Sequence, residues 1–235
     1  IFKFKSKITL ESELYNQAFK TTNKKIEGNN LSSDYYRVFP ITALTFESPF
    51  RHLKTNLMIN PELKIIAASG QSNSNKISNE ESTNNSFNIS DVKLLNRYTG
   101  SDKLDNSKRI IAGLNLSKNK IRFNYFQTYE FTNNSNFHKE SGNYNHLSDA
   151  LSSINYDDEN LMINYENRYD VENNKILSQK ISLQNKNILG IVNLSYLDVK
   201  KNTNDLLDEN QETITYAFNS NKYKKYNIFS LSGLY

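Results

Sequence analysis

Period-two alternation, held over unusually long segments, constrains this chain more than any other feature. At the start Phe2, Phe4, Ile8, Leu10 and Leu14 fall on one face, and Lys3, Lys5, Lys7, Glu11 and Glu13 fall on the other. That is the pattern of a strand with unlike faces. The charged face cannot look at lipid, because each Lys near a bilayer midplane costs about 2–4 kcal/mol. It must face water or a wet lumen.

The alternation recurs down the chain. Residues 35–47 (YYRVFPITALTFE) are more mixed and carry Pro40, which places this strand at an edge, at a bulge or locally unpaired there. After Ser48-Pro49-Phe50, residues 53–67 set Leu53, Leu57, Ile59, Leu63 and Ile65 against Lys54, Asn56, Asn60, Glu62 and Lys64, with Pro61 on the apolar face. Ile110, Ala112, Leu114 and Leu116 then lead through Ser117-Lys118-Asn119 into Ile121, Phe123, Tyr125, Tyr129 and Phe131, a hairpin signal. A long Asn-rich loop over 133–146 and a weaker strand over 147–156 follow. Asp157-Asp158-Glu159 turns the chain into 161–171, Asn173-Asn174 into 176–184, and Asn185-Lys186-Asn187 into 188–196. Past a polar loop over 200–211 come Ile214, Tyr216 and Phe218, a turn at Asn219 to Lys222, and a last strand with Phe229, Leu231 and Tyr235.

This predicts roughly eleven antiparallel strands of some 9 to 15 residues. Ordinary soluble strands average about 5–6 residues, whereas tilted membrane-crossing strands need about 9–11. The connections add a second clue. Those after strands two, four, six, eight and ten are short, and the others are mostly long, the one at Asn173-Asn174 excepted. Short turns on one rim and long loops on the other mark an outer-membrane barrel. An odd count does not close an all-antiparallel barrel cleanly, so the reading is all-β: an open arc, over residues 1–235, of a larger transmembrane β-barrel.

Composition fits that reading without compelling it. Mean hydropathy is −0.71 and 37% of residues are hydrophobic, and no run of about 18 apolar residues exists to make a spanning helix. A barrel turns only alternate side chains to lipid, so a low mean does not exclude one. The net charge of +4, from 29 basic and 25 acidic residues well interspersed, offers no basic stripe for nucleic acid. With no cysteine there is no disulfide or thiolate metal site. Ile1 already lies in an alternating run, with no initiating Met and no signal peptide visible, which is the expectation for a segment of a longer polypeptide.

The long gap near 69–108 is the remaining feature. Loops beyond about 12–15 residues are usually functional or disordered. This one carries Ile77, Phe87, Ile89, Val92, Leu94, Leu95, Tyr98 and Leu104 among polar residues, more than a disordered linker holds. It is expected to fold against something.

Catalytic and metal constellations are not found. His52, His138 and His146 lack ligand spacing and read as solvated. Asp157-Asp158-Glu159 reads as turn chemistry before a cation site. There is no glycine-rich phosphate loop and no Gly-x-Ser-x-Gly nucleophile turn. Neither an enzyme nor a cofactor is expected. Aromatic residues at strand ends (Tyr15, Tyr35, Tyr36, Tyr98, Phe131, Tyr156, Tyr235) fit interfacial girdles or simple β-propensity.

The insert and its flanks resemble the C-terminal barrel domain of the LptD family, the lipopolysaccharide-assembly outer-membrane proteins. The residues are Ile77-Ser78-Asn79-Glu80-Glu81-Ser82, then Phe87 and Leu94-Leu95, then Asn96-Arg97-Tyr98-Thr99-Gly100-Ser101-Asp102-Lys103, then Gly113-Leu114. Upstream, Arg37-Val38-Phe39-Pro40 and Ser48-Pro49-Phe50 resemble the family's approach to this loop. Ser78 stands where the family often has Pro, Glu81 where it has Asp, and Lys103 where it has Arg, which removes a bidentate fork. The resemblance implies a Gram-negative outer-membrane barrel that passes lipopolysaccharide into the outer leaflet amid outer-membrane lipid. It also implies an accessory lipoprotein (LptE-like), a periplasmic bridge protein (LptA-like), and an insert in or over the mouth. It implies that Glu81, Ser82, Asn96, Arg97, Gly100 and Asp102 structure the loop, with Gly100 at positive φ and Arg97 paired to a carboxylate such as Asp102 or Glu81. Rival expectations are a passive or gated channel barrel with a different lumen, and a secreted β-rich adhesin whose oily faces stack together.

Overall fold

A computed structural model describes residues 2–20, 25–26, 29–30, 34–69, 77, 79, 81–83, 85, 87–132, 137, 141–200, 210–220, 222–223, 226–227 and 230–234. The strands are β1 (Phe2–Phe4), β2 (Lys7–Lys20), β3 (Lys25–Ile26), β4 (Asn29–Asn30), β5 (Asp34–Glu47), β6 (Phe50–His52), β7 (Leu57–Ala68), β8 (Lys108–Lys118) and β9 (Ile121–Glu130). They continue as β10 (Ala150–Asp157), β11 (Leu161–Asp170), β12 (Lys175–Lys186), β13 (Gly190–Val199), β14 (Gln211–Ser220), β15 (Lys222–Tyr223), β16 (Tyr226–Asn227) and β17 (Ser230–Leu234). Thirteen of them form one antiparallel sheet, a meander in chain order, and β3–β4 and β15–β16 are two-residue ribbons. β1 with β2, and β5 with β6, are single passes of chain with a break, so thirteen strands make eleven passes. No second sheet stacks on this one among the described residues, and no pairing joins β2 to β17 to close it. The sheet is an open arc.

Register fixes the two faces. Ile8, Leu10 and Leu14 of β2 stand beside Phe46, Leu44 and Pro40 of β5. Leu44 and Phe46 in turn stand beside Ile65 and Leu63 of β7, and the row continues through Ile110, Ala112, Tyr129, Tyr125 and Ile154. It ends in Ile181, Leu194 and Tyr216. Nothing described covers this outer face, where Leu10 is 70% exposed. The other face holds the core: Phe39, Ile41, Ala43, Ile66, Ala68, Ile111, Phe126 and Leu151 lie under Val92, Leu95 and Leu104 of the insert, with Phe87 and Ile89 packed beside them.

That core corrects one expectation. Alternation alone predicts a hydrated inner face throughout, but β5, β7 and β8 carry apolar residues on both faces where the insert sits. This is why residues 35–47 read as mixed. Inner positions further along remain polar: Ser182, Gln184, Asn193, Ser195 and Thr215 stand side by side on β12–β14.

The turns follow local chemistry. Asn56, Asn119 and Asn174 take positive φ of 53°, 53° and 56°, a conformation Asn tolerates better than most residues. Asp157-Asp158-Glu159 is a turn tied to its neighbours, with Asp158 paired to Lys120 and Asp157 3.1 Å from Arg122. Two boundaries differ from the sequence reading. The strand expected from 147 begins at Ala150, because Leu147 makes only an isolated bridge to Tyr129. Asn219 is not a turn residue: it stays in the ladder opposite Ile191 and Ser230, so β14 runs to Ser220. Ile1, Ser78, Glu80, His138, Phe229 and Tyr235, with most of 133–140 and 201–209, lie outside the described residues.

Two adjacent positions on β12 test the assignment of faces. Ile181→Arg, on the lipid side, should cost about 2–4 kcal/mol of folded stability in vesicles by urea titration of the whole protein. Ser182→Arg, one residue on, should change it by less than about 1 kcal/mol.

Candidate functional site

The insert packs on the inner face of the arc and is held there by three sets of contacts. The first lies within it. Segments 81–85 and 97–101 run antiparallel, with Thr99 N–H donating to Thr83 O at 2.8 Å and Asn85 N–H to Arg97 O at 2.9 Å. The Glu81 carboxylate accepts Ser101 N–H at 2.9 Å and its hydroxyl at 2.8 Å, while Asp102 Oδ2 accepts Glu81 N–H at 3.0 Å. Ser82 Oγ accepts both Asp102 and Lys103 N–H at 3.0 Å. Gly100 sits between them at φ +71°, where an added Cβ would lie 3.0 Å from Glu81 Cγ and 3.1 Å from Ser82 Oγ. A left-handed backbone against two side chains accounts for glycine here. Asn96 Oδ1 accepts Asp105 N–H at 3.1 Å and Tyr98 N–H at 3.3 Å, bending the chain around itself.

The second set joins insert to wall through buried charge. Arg97 donates from Nε to Asp105 Oδ2 at 2.6 Å and from Nη2 to Asp105 Oδ1 at 3.2 Å and Glu130 Oε2 at 2.7 Å. Arg109, at the start of β8, donates from Nη1 to Asp105 Oδ2 at 2.7 Å and from Nη2 to Leu95 O at 3.2 Å. The four side chains are each at least nine-tenths buried. Two guanidiniums against two carboxylates leave no net charge. Burial alone would push the Asp105 carboxyl up, but Arg109 and Arg97 overrule it and hold it below the usual carboxylate range.

The third set lies at the rims. Arg37 of β5 reaches Asp102 O at 3.0 Å and Ser101 O at 2.5 Å, supported by Gln17 of β2, whose Oε1 is 3.0 Å from Arg37 Nε. Lys93 reaches down to Glu62 at 2.6 Å over the Phe126 ring, 4.6 Å from its centroid. From the next loop Phe137 stacks on Tyr98 with ring centroids 5.2 Å apart and lies under Arg97 at 4.5 Å.

The six residues singled out by sequence thus come together, but not as that reading paired them. Arg97 bonds Asp105 and Glu130, whereas Asp102 and Glu81 turn their oxygens to backbone N–H groups. Tyr98 is no girdle residue: it is buried in the insert. Tyr15 and Tyr35 face inward beside Phe39 and Phe19, while Tyr36 and Phe131 are exposed on the outer face. His52 bonds Thr55 at 2.7 Å, and His146 bonds the Glu130 carbonyl at 2.7 Å. Asp105, Arg109, Glu130, Gln17 and Lys93 were missed. The hairpin turn at 119–120 already sets Arg109 opposite Glu130, and Asp105 is the first carboxylate before them.

A long-stranded antiparallel arc, oily outside and backed on part of its inner face by its own loop, defines a piece of a large outer-membrane β-barrel. The chain belongs to the LptD family, described as LPS transport system D, whose family model matches residues 1–228. This is a family of lipopolysaccharide transport and outer-membrane assembly. No curated protein matches the chain.

Asp105→Asn leaves two buried guanidiniums short of a countercharge and should loosen the insert by about 3–5 kcal/mol, read as protease cleavage within 77–107 that wild type resists. A second prediction concerns Asp149, 3.3 Å from Arg168. Burial raises its pKa to about 6 against the opposing pull of Arg168. An acid raised in the folded state favours folding as pH falls from 7 to 5. Amide-exchange protection of 141–149 should therefore increase over that range, and Asp149→Asn should abolish the dependence.

Proposed function

We infer that this chain forms barrel wall and mouth seal of a lipopolysaccharide-translocating assembly in the outer membrane of a Gram-negative bacterium. The observation that carries the reading is the insert, which packs on the inner face with its own apolar residues, a neutral ion cluster and a reciprocal hydrogen-bond clamp. A loop that merely crossed the rim would not need to bury Arg97, Asp105 and Leu104 against the wall. Glu81, Ser82, Asn96, Arg97, Gly100 and Asp102 give the seal its shape. The polar inner positions along β12–β14 leave the rest of the lumen wettable, which suits a substrate with a large hydrophilic part. The function is conduction and positioning without bond chemistry. By family resemblance, an accessory lipoprotein fills the remaining lumen and a periplasmic bridge delivers the substrate.

Deleting Ser78 to Asp105 should sensitise cells to bulky antibiotics that the outer membrane normally excludes, while the barrel still migrates as a heat-modifiable folded band. Unchanged sensitivity with a folded barrel would remove the sealing role. Arg97→Lys keeps the charge but loses the fork to Asp105 and Glu130, and should give an intermediate sensitivity.

A further inference from the structure

The outer face of β8–β10 ends, on the rim of the long loops, in a cluster that neither the wall nor the insert uses. Lys108 opens β8, and its carbonyl accepts the Phe131 N–H at 2.8 Å. Tyr129 and Phe131 stand outward beside it, 48% and 56% exposed, with rings edge to face at 5.1 Å. His146 comes from the next loop and stacks on Tyr129 with centroids 6.3 Å apart. Leu147, bridged to Tyr129, extends the shelf.

Hydrogen bonding settles which imidazole nitrogen is available. His146 Nδ1 lies 2.7 Å from the Glu130 carbonyl. A carbonyl only accepts, so Nδ1 donates; Nε2, directed away from that bond, meets a phosphate by donating N–H as the imidazolium or by accepting from a phosphate hydroxyl. Lys108 is exposed, and its backbone N–H, not its side chain, takes the Glu130 carboxylate at 3.1 Å. Glu130 itself is turned to the buried side, against Arg97. The patch therefore joins an ammonium and an imidazole to two exposed rings, with the row through Ile110 and Tyr125 continuing down the lipid-facing wall.

Folding does not require this. Both rings could be polar at a rim edge without loss to the core. Rings of this kind sit where membrane meets water, and a lysine beside them suits a phosphate oxygen as a compact point charge. Long loops mark the outward rim of such barrels, so the adjoining lipid is that of the outer leaflet. We propose that Lys108, His146, Tyr129 and Phe131 form a docking site on the outside of the barrel for a phosphorylated glycolipid of that leaflet. Its phosphate lies on Lys108 and His146, its sugar against the rings, and its acyl chains run down over Ile110 and Tyr125. The site depends on the lipid-facing assignment of the outer face and not on the sealing or transport role of the insert.

The test is photocrosslinking in cells with the full-length protein, a benzophenone amino acid replacing Phe131, and a matched position replacing Ile121 at the opposite rim of the same face. The expected result is an adduct carrying lipopolysaccharide at 131 and little at 121. It should fall about tenfold when Lys108→Ser and His146→Gln are combined, as expected for the loss of charge-assisted hydrogen bonds. Heat-modifiable migration confirms that each variant is folded. Equal adducts at both positions, an adduct indifferent to the double substitution, or phospholipid as the captured lipid would each overturn the proposal.

Discussion

The buried quartet of Arg97, Asp105, Arg109 and Glu130 is the interaction on which the arrangement of insert and wall depends. A single charge in that position would be prohibitive, and two of each sign, joined by the hydrogen bonds of Arg97 and Arg109, are tolerable only in one geometry. Arg109 and Glu130 sit opposite each other on β8 and β9. A slip of one residue in that hairpin would turn one of them toward lipid. Arg97 and Asp105 come from the insert. The seat of the insert and the register of the wall therefore specify each other. The quartet selects one fit among alternatives more than it adds stability, because buried ion pairs seldom outperform apolar packing of equal volume.

A single sheet here meets three surroundings, and its side chains sort accordingly. The outer face is apolar and uncovered along β2, β5, β7 and β10–β14. The inner face is apolar under Val92, Leu95 and Leu104, and polar beyond the insert's reach. Between these zones charges are paired: Lys64 of β7 with Glu11 of β2 at 2.9 Å, and Lys93 of the insert with Glu62 of β7 at 2.6 Å.

Strand positions, faces and the rim asymmetry were legible because period two survives wherever one face is lipid and the other water. Legibility failed in two places, each for a physical reason. Under the insert both faces are apolar, so β5 loses its contrast, and alternation cannot say that Phe39 and Ile41 face inward. Within the insert the motif from Asn96 to Lys103 marks which residues matter but not their partners. Glu81 and Asp102 were expected as counterions for Arg97 because the family resemblance singled them out beside it. The structure uses them on backbone N–H groups, because Gly100 turns those groups toward them, and the counterions come from residues 8 and 33 positions away. Pairings set by a hairpin register could have been counted from the turn at Asn119. Those set by the docking of the insert could not.

The chain's three prolines make a related point about the wall. Pro40 lies where β5 leaves β7: pairing with β7 begins at Ile41, and the Pro40 carbonyl accepts Ser69 N–H at 3.3 Å. Pro49 separates β5 from β6, and Pro61 sits opposite that break with its carbonyl accepting Ser48 N–H at 3.2 Å. All three fall along one seam, at points where a missing N–H costs little. The same seam also holds the insert. Arg37 and Gln17 grip the Ser101 and Asp102 carbonyls above Pro40, and Ala68 N–H donates to Ser107 O at 2.9 Å at the end of β7. Where the prolines interrupt the ladder between neighbouring strands, the inner face is backed by the insert, so seating the insert and bracing the wall are one structural act.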